Sequence, residues 1–141
     1  MKKAIHSLFV CIGIVTITAC SRWSLDTCWK SDGYRLVAVD TRSQMQLVFE
    51  DDRGLGLVGP TIFSVGTSTN YIVLKQHPQK NGNVFFEFDR NTTNYFIVEK
   101  RKGTRENRKD GIQGPLTEAA YSHLASTLSL PAFSDTFPDL E

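Results

Sequence analysis

Val84-Phe85-Phe86-Glu87-Phe88-Asp89, then Arg90-Asn91-Thr92-Thr93, then Asn94-Tyr95-Phe96-Ile97-Val98-Glu99-Lys100: this stretch decides the fold class. Phe86 and Phe88 share a face with Val84, and Tyr95 aligns with Ile97. Two apolar runs thus flank a short polar loop, which reads as a β-hairpin. The same pattern extends upstream. Residues 33–40 put Tyr34, Leu36 and Ala38 on one face, and Thr41-Arg42-Ser43 makes a turn. Residues 44–50 set Met45, Leu47 and Phe49 against Gln44, Gln46 and Glu50. Period two marks strands with one covered face. Two more strands are expected at 61–65 and 70–76 around Gly66-Thr67-Ser68-Thr69, before Pro78 and Asn81-Gly82 break the chain. About six strands with short loops imply an antiparallel meander, because parallel strands need long crossovers.

Downstream the pattern changes to helical. Gly114-Pro115-Leu116-Thr117 opens a helix in which Thr117 is the N-cap and Glu118 lies in the positive first turn. Leu116 is expected to staple against Tyr121. Tyr121, Leu124 and Leu128 form an apolar stripe with Ala120 and Ala125, and Pro131 stops the helix. The expected fold is α+β: one antiparallel sheet with one C-terminal helix packed on it. The expected divisions are a leader at 1–19, a lipidated N-terminus and tether at 20–32, a single domain at 33–130, and a tail at 131–141. The tail keeps Phe133 and Phe137 among acidic residues.

Composition agrees with one small domain. The chain has 141 residues, 40% hydrophobic and 11% aromatic, too apolar for a disordered segment. Sixteen basic residues against fifteen acidic ones give no electrostatic case for nucleic acid.

The first twenty residues address the chain. Lys2 and Lys3 precede the uncharged stretch 4–19, sixteen residues or about 24 Å of helix. A bilayer core needs about 30 Å, so the stretch reads as a secretory signal rather than a span. It ends in Ile17-Thr18-Ala19-Cys20, which resembles the lipobox of bacterial lipoproteins. The resemblance implies cleavage before Cys20 and a diacylglycerol on its thiol, with acyl chains enough for stable anchoring. Ser21 follows the cysteine where Asp would imply inner-membrane retention. In a Gram-negative host the resemblance therefore implies the outer membrane, facing the periplasm. An ordinary cleaved signal fits less well, because Ile17 is a poor match to the small residue of an A-x-A site. Cys11 leaves with the leader and Cys20 is lipidated, so Cys28 remains, either buried beside Trp29 or paired with another chain.

Several stretches carry chemistry on paper. Gly54-Leu55-Gly56-Leu57-Val58-Gly59 spells G-x-G-x-x-G, but Pro60-Thr61-Ile62-Phe63 follows where a dinucleotide site needs a helix. It reads as a return between strands, and no nucleotide is expected. Residues 100–109 hold six basic side chains and one acid, without aromatics for base stacking. They read as a solvated loop, the alternative being contact with anionic headgroups or cell-wall polymer. Glu50-Asp51-Asp52 lacks calcium-loop spacing. Glu87 and Asp89 share a strand face as such pairs do on any wet strand, and His77 and His123 lack metal-spaced partners. Cys28 with either histidine lacks an orienting third group. No catalytic residue, metal or cofactor is assigned.

Tyr71-Ile72-Val73-Leu74-Lys75-Gln76-His77-Pro78, Asn94-Tyr95-Phe96-Ile97-Val98 and Gly114-Pro115-Leu116-Thr117-Glu118 occur in that order. Over residues 60–130 the chain resembles a family of small bacterial lipoproteins of unknown function. The expected role is a non-catalytic binding or accessory lipoprotein with an envelope protein partner. The recognition surface would be the sheet face opposite the helix, with Tyr34, Tyr71 and Tyr95 as candidates if exposed. Two alternatives stand: an immunity lipoprotein against a periplasm-acting toxin, and a small periplasmic hydrolase with a deep pocket at Cys28, His77 or Glu87/Asp89.

Overall fold

The computed structural model describes residues 26–52, 56–80, 87–100 and 109–141. The expected leader, the lipidation site Cys20 and most of the basic run lie outside the described residues.

Asp32 and Gly33 reverse the chain with φ of 49° and 81°, the left-handed pair of a tight hairpin turn. They join β1 (Asp26–Ser31) to β2 (Tyr34–Ala38). β3 (Gln46–Phe49) and β4 (Gly56–Val58) follow, and the four strands form an antiparallel sheet in chain order. A second antiparallel sheet holds β5 (Ile62–Thr67), β6 (Tyr71–Gln76), β7 (Asn94–Glu99), β8 (Ile112–Leu116) and β9 (Asp135–Thr136), in the order β8-β7-β6-β5-β9. The helix α1 (Glu118–Leu128) lies on the second sheet. The α+β class with antiparallel strands holds. The single sheet of about six strands does not, since the described residues form nine strands in two sheets.

Three layers follow from the side-chain pattern. Leu36 and Leu47 of the first sheet, with Met45 just before β3, meet Ile72, Leu74 and Val98 of the second in one core. Val73, Tyr95 and Ile97 point the other way and meet Tyr121 of α1. The middle sheet is covered on both faces. This is why Tyr71-Ile72-Val73-Leu74 and Tyr95-Phe96-Ile97-Val98 are continuous apolar runs, whereas residues 44–47 alternate before Val48, which is buried on the other face of its strand.

Three expectations are corrected. Asn94–Glu99 does not pair with residues 87–89, the described part of the expected partner arm: its edges are taken by β6, with Val73↔Ile97 in register, and by β8. Phe88 makes only an isolated bridge to Gln79, and residues 81–86 lie outside the described residues. The tether is shorter than expected, because residues 26–31 form the first strand. The tail is no appendage, because β9 pairs with β5 and Leu140 is buried.

The helix follows its sequence signals. Thr117 Oγ1 accepts the Ala120 amide at 3.3 Å, and Leu116 packs in the same cluster as Tyr121. Ser129 takes φ 51° and its N–H returns to the Ala125 carbonyl, so the helix ends at a left-handed cap before Pro131. Ala120 is exposed, making the buried stripe narrower than expected. Gly114-Pro115 belongs to β8 rather than to the helix start.

One ion pair ties the layers together. Lys100 Nζ, with its side chain only 9% exposed, donates to Asp32 Oδ2 at 2.6 Å and to the Ser68 carbonyl at 2.5 Å. It thereby joins the β1–β2 turn to the β5–β6 turn. The Lys100 hydrogen bond holds the Asp32 carboxyl below the usual carboxylate range. A depressed folded-state pKa stabilises the fold above the ordinary carboxylate range, from about pH 5 upward, and that contribution is lost as pH falls. The urea midpoint is therefore expected to fall between pH 6 and pH 3, and to fall less in Asp32→Asn. Equal falls in both proteins would sink this linkage.

Candidate functional site

Past Pro131 the chain turns back and runs antiparallel along the outer edge of β5. Gly66 makes this possible. A Cβ there would stand 2.1 Å from the Ala132 carbonyl oxygen, so only glycine admits the returning backbone. The Ser134 amide then donates to the Val65 carbonyl at 3.0 Å, and the Phe137 amide to the Phe63 carbonyl at 2.8 Å. Between them, Asp135 and Thr136 pair with Val65 and Ser64 as β9. The hydroxyls of Ser64 and Thr136 meet at 2.9 Å.

The last turn of this segment enters the space between the sheets. Leu140 is 3% exposed, and Phe137 packs against the same core. Asp139 faces outward instead. Its carboxylate accepts Arg42 Nε at 2.7 Å and Arg42 Nη2 at 3.1 Å, a two-bond fork. That hydrogen-bonded fork holds Asp139 below the usual carboxylate range and raises Arg42. The Arg42 guanidinium also lies 5.5 Å from the centre of the Phe137 ring.

A second arginine reads the backbone. Arg90 Nη2 donates to the Asp139 carbonyl at 3.0 Å, and its Nη1 donates to the Glu141 carbonyl. Its guanidinium stacks 4.9 Å above Phe88, which lies parallel to His77, which stacks on Phe63 of β5 at 4.2 Å. His77 is 3% exposed. Its Nδ1–H donates to the Thr92 carbonyl at 2.8 Å, and Nε2 has no hydrogen-bond partner among the described residues.

The residues singled out by the sequence are scattered around this end or away from it. Asp89 caps the loop after it, accepting the Asn91 amide at 3.1 Å and the Thr92 hydroxyl at 2.8 Å; the Thr92 hydroxyl lowers its pKa most. Glu87 is exposed and does not form a strand pair with it. His123 sits exposed on α1, in the layer away from His77. Cys28 is half-buried at a bulge of β1, against the inter-sheet core. Gly56–Val58 is β4, paired with β3, so this part of the glycine run is a strand and not the return between strands that the sequence implied. Glu50 pairs with Lys30 at 2.5 Å. Among the described residues no three His, Cys, Asp or Glu side chains gather to hold a metal ion. A recess of about 160 Å³ is lined by Val39, Gln44, Gln46, Pro60 and Gln79, none of them titratable.

The expected recognition face is overturned. The face of the second sheet opposite the helix is the interior of the sandwich. Tyr34 is 2% exposed against Phe49, Tyr95 is 7% exposed under α1, and Tyr71 is half-buried. Arg42, Arg90, Asp139 and Leu140 went unread. Phe133 and Phe137 among acids were the available signal, but nothing local tells which strand edge such a segment joins.

Residues 31–132 match a protein family described as "Protein of unknown function (DUF3997)". No curated protein and no solved structure matches the chain.

Proposed function

Because the chain belongs to DUF3997, a family of unknown function, its role has to be read from its own residues, and we propose that it is a lipid-anchored envelope protein that acts by binding rather than by catalysis. The observation that carries the reading is what the two arginines hold. At Arg42 and Arg90 the fold already grips an acidic polypeptide, the turn at its own residues 137–141, by a side-chain carboxylate and by main-chain oxygens. The groups with catalytic chemistry are engaged elsewhere: Asp89 caps a turn and His77 is walled in by aromatic rings.

The anchor rests on Ile17-Thr18-Ala19-Cys20. β1 begins six residues after Cys20, a reach of at most about 22 Å. A lipid on Cys20 would keep the sandwich close to the membrane surface, within range of other envelope proteins.

Crosslinking in intact envelopes, with acyl labelling of wild type and Cys20→Ser, tests both halves. Wild type is expected in the membrane fraction, acyl-labelled, with one stoichiometric protein partner. Cys20→Ser is expected unprocessed and unlabelled. An acylated, processed Cys20→Ser protein would overturn the anchor, and no partner above background would overturn the binding reading.

A further inference from the structure

We infer that residues 131–141 are an exchangeable strap, and that the proposed partner binds the β5 edge beneath it as a polypeptide strand that ends in a turn carrying a carboxylate followed by a large apolar side chain. This rests on the binding reading above and names the site and the class of partner.

The strap is attached in a way that permits exchange. β5 pairs with β6 through five residue pairs but with β9 through only two, so the sheet stays complete without the strap. The Arg42–Asp139 pair is half exposed at both ends, 50% and 51%, and exposed ion pairs contribute little in water. Pro131 follows the helix cap and separates the strap from α1. Phe133, Phe137 and Leu140 also pack it into the two cores, so its release is a local opening of one terminal segment, which needs less free energy than unfolding the whole chain.

What opening uncovers is a site for another strand. The carbonyls of Phe63 and Val65 lose their donors, and a bare strand edge is a template for pairing. The space left by Leu140 takes a large apolar side chain. The Arg42 fork takes a carboxylate one residue before it. Arg90 donates to main-chain carbonyls and so is indifferent to the side chains it meets. At Gly66 the incoming backbone can approach as closely as Ala132 does. The strap itself is the model ligand, and it competes with any partner by intramolecular occupancy.

A labelled peptide with the sequence of residues 131–141 is the probe, titrated into three full-length proteins. Asp139→Ala loosens the internal strap while leaving Arg42 for the peptide, and is expected to bind it about two- to fivefold more tightly than wild type, since affinity scales with the open fraction and an exposed ion pair contributes at most about 1 kcal/mol. Ser64→Cys with Thr136→Cys, oxidised, staples the strap shut where the hydroxyls now meet. It is expected not to bind, and to bind again on reduction, which separates closure from misfolding. The Ser134 and Phe137 amides of wild type are expected to exchange at least about a hundredfold faster than those of β6 and β7. Absence of peptide binding to Asp139→Ala, unchanged binding to the stapled protein, or exchange as slow as the central strands would each overturn the strap. An envelope partner crosslinked equally well to the stapled protein would overturn the β5 site while leaving the binding reading intact.

Discussion

Tyr95→Ala is expected to cost about 3–5 kcal/mol of folding stability, as large aromatic truncations in cores do. The ring is 7% exposed and stacks on Tyr121 at 4.9 Å, with Phe133 at 6.3 Å and the Lys75 ammonium 5.8 Å from its centre. It is the main contact by which the middle sheet receives α1, and removing it leaves Val73 and Ile97 facing a void. Burial pushes the Tyr95 hydroxyl pKa up, as expected of a ring withdrawn from water. Urea unfolding of wild type and variant, compared at equal slope, measures the cost. A change under about 0.5 kcal/mol, typical of surface positions, would return Tyr95 to the exposed recognition residues and contradict the layer order.

Gly66→Ala is expected to cost about 3 kcal/mol, at the upper end of what overpacking a tight contact costs. The new methyl would overlap the Ala132 carbonyl oxygen at 2.1 Å and its carbon at 2.9 Å, with Val73 Cγ2 at 3.0 Å on the other side. β5 is held by β6 through five residue pairs and the strap by only two, so the strap's backbone is the one that yields. The strap is therefore expected to leave the edge, with loss of exchange protection at Ser134 and Phe137 together with the stability. Gly59→Ala is the control: nothing lies within 4 Å of its added methyl, and it is expected to change stability by less than about 0.5 kcal/mol. A stable Gly66→Ala with a protected strap would show that the close approach is not required.

These two positions also mark how far the sequence could be read. Alternation over residues 44–47 correctly assigns Met45 and Leu47 to a buried face, because period two follows from the pleat and needs no partner. The helix start was legible for a similar reason: Thr117, Glu118 and the Leu116/Tyr121 staple act within a few residues of one another. The Asp32-Gly33 turn was equally local, and reading it as a hairpin would have found β1. Pairing partners were not local. Residues 84–89 and 94–100 look like hairpin arms because each is apolar and the loop is short. Yet β7 gains more by burying both faces between β6 and β8 under α1.

The sequence by itself therefore determined the antiparallel class, the inward face of the alternating strands and the limits of the helix, all set by interactions spanning a few residues. Only the tertiary structure decided that there are two sheets, that Tyr34 and Tyr95 are interior, and that Asp139 meets Arg42. Those outcomes depend on which apolar faces cover one another and on an ion pair between residues 97 positions apart, for which periodicity and spacing carry no signal.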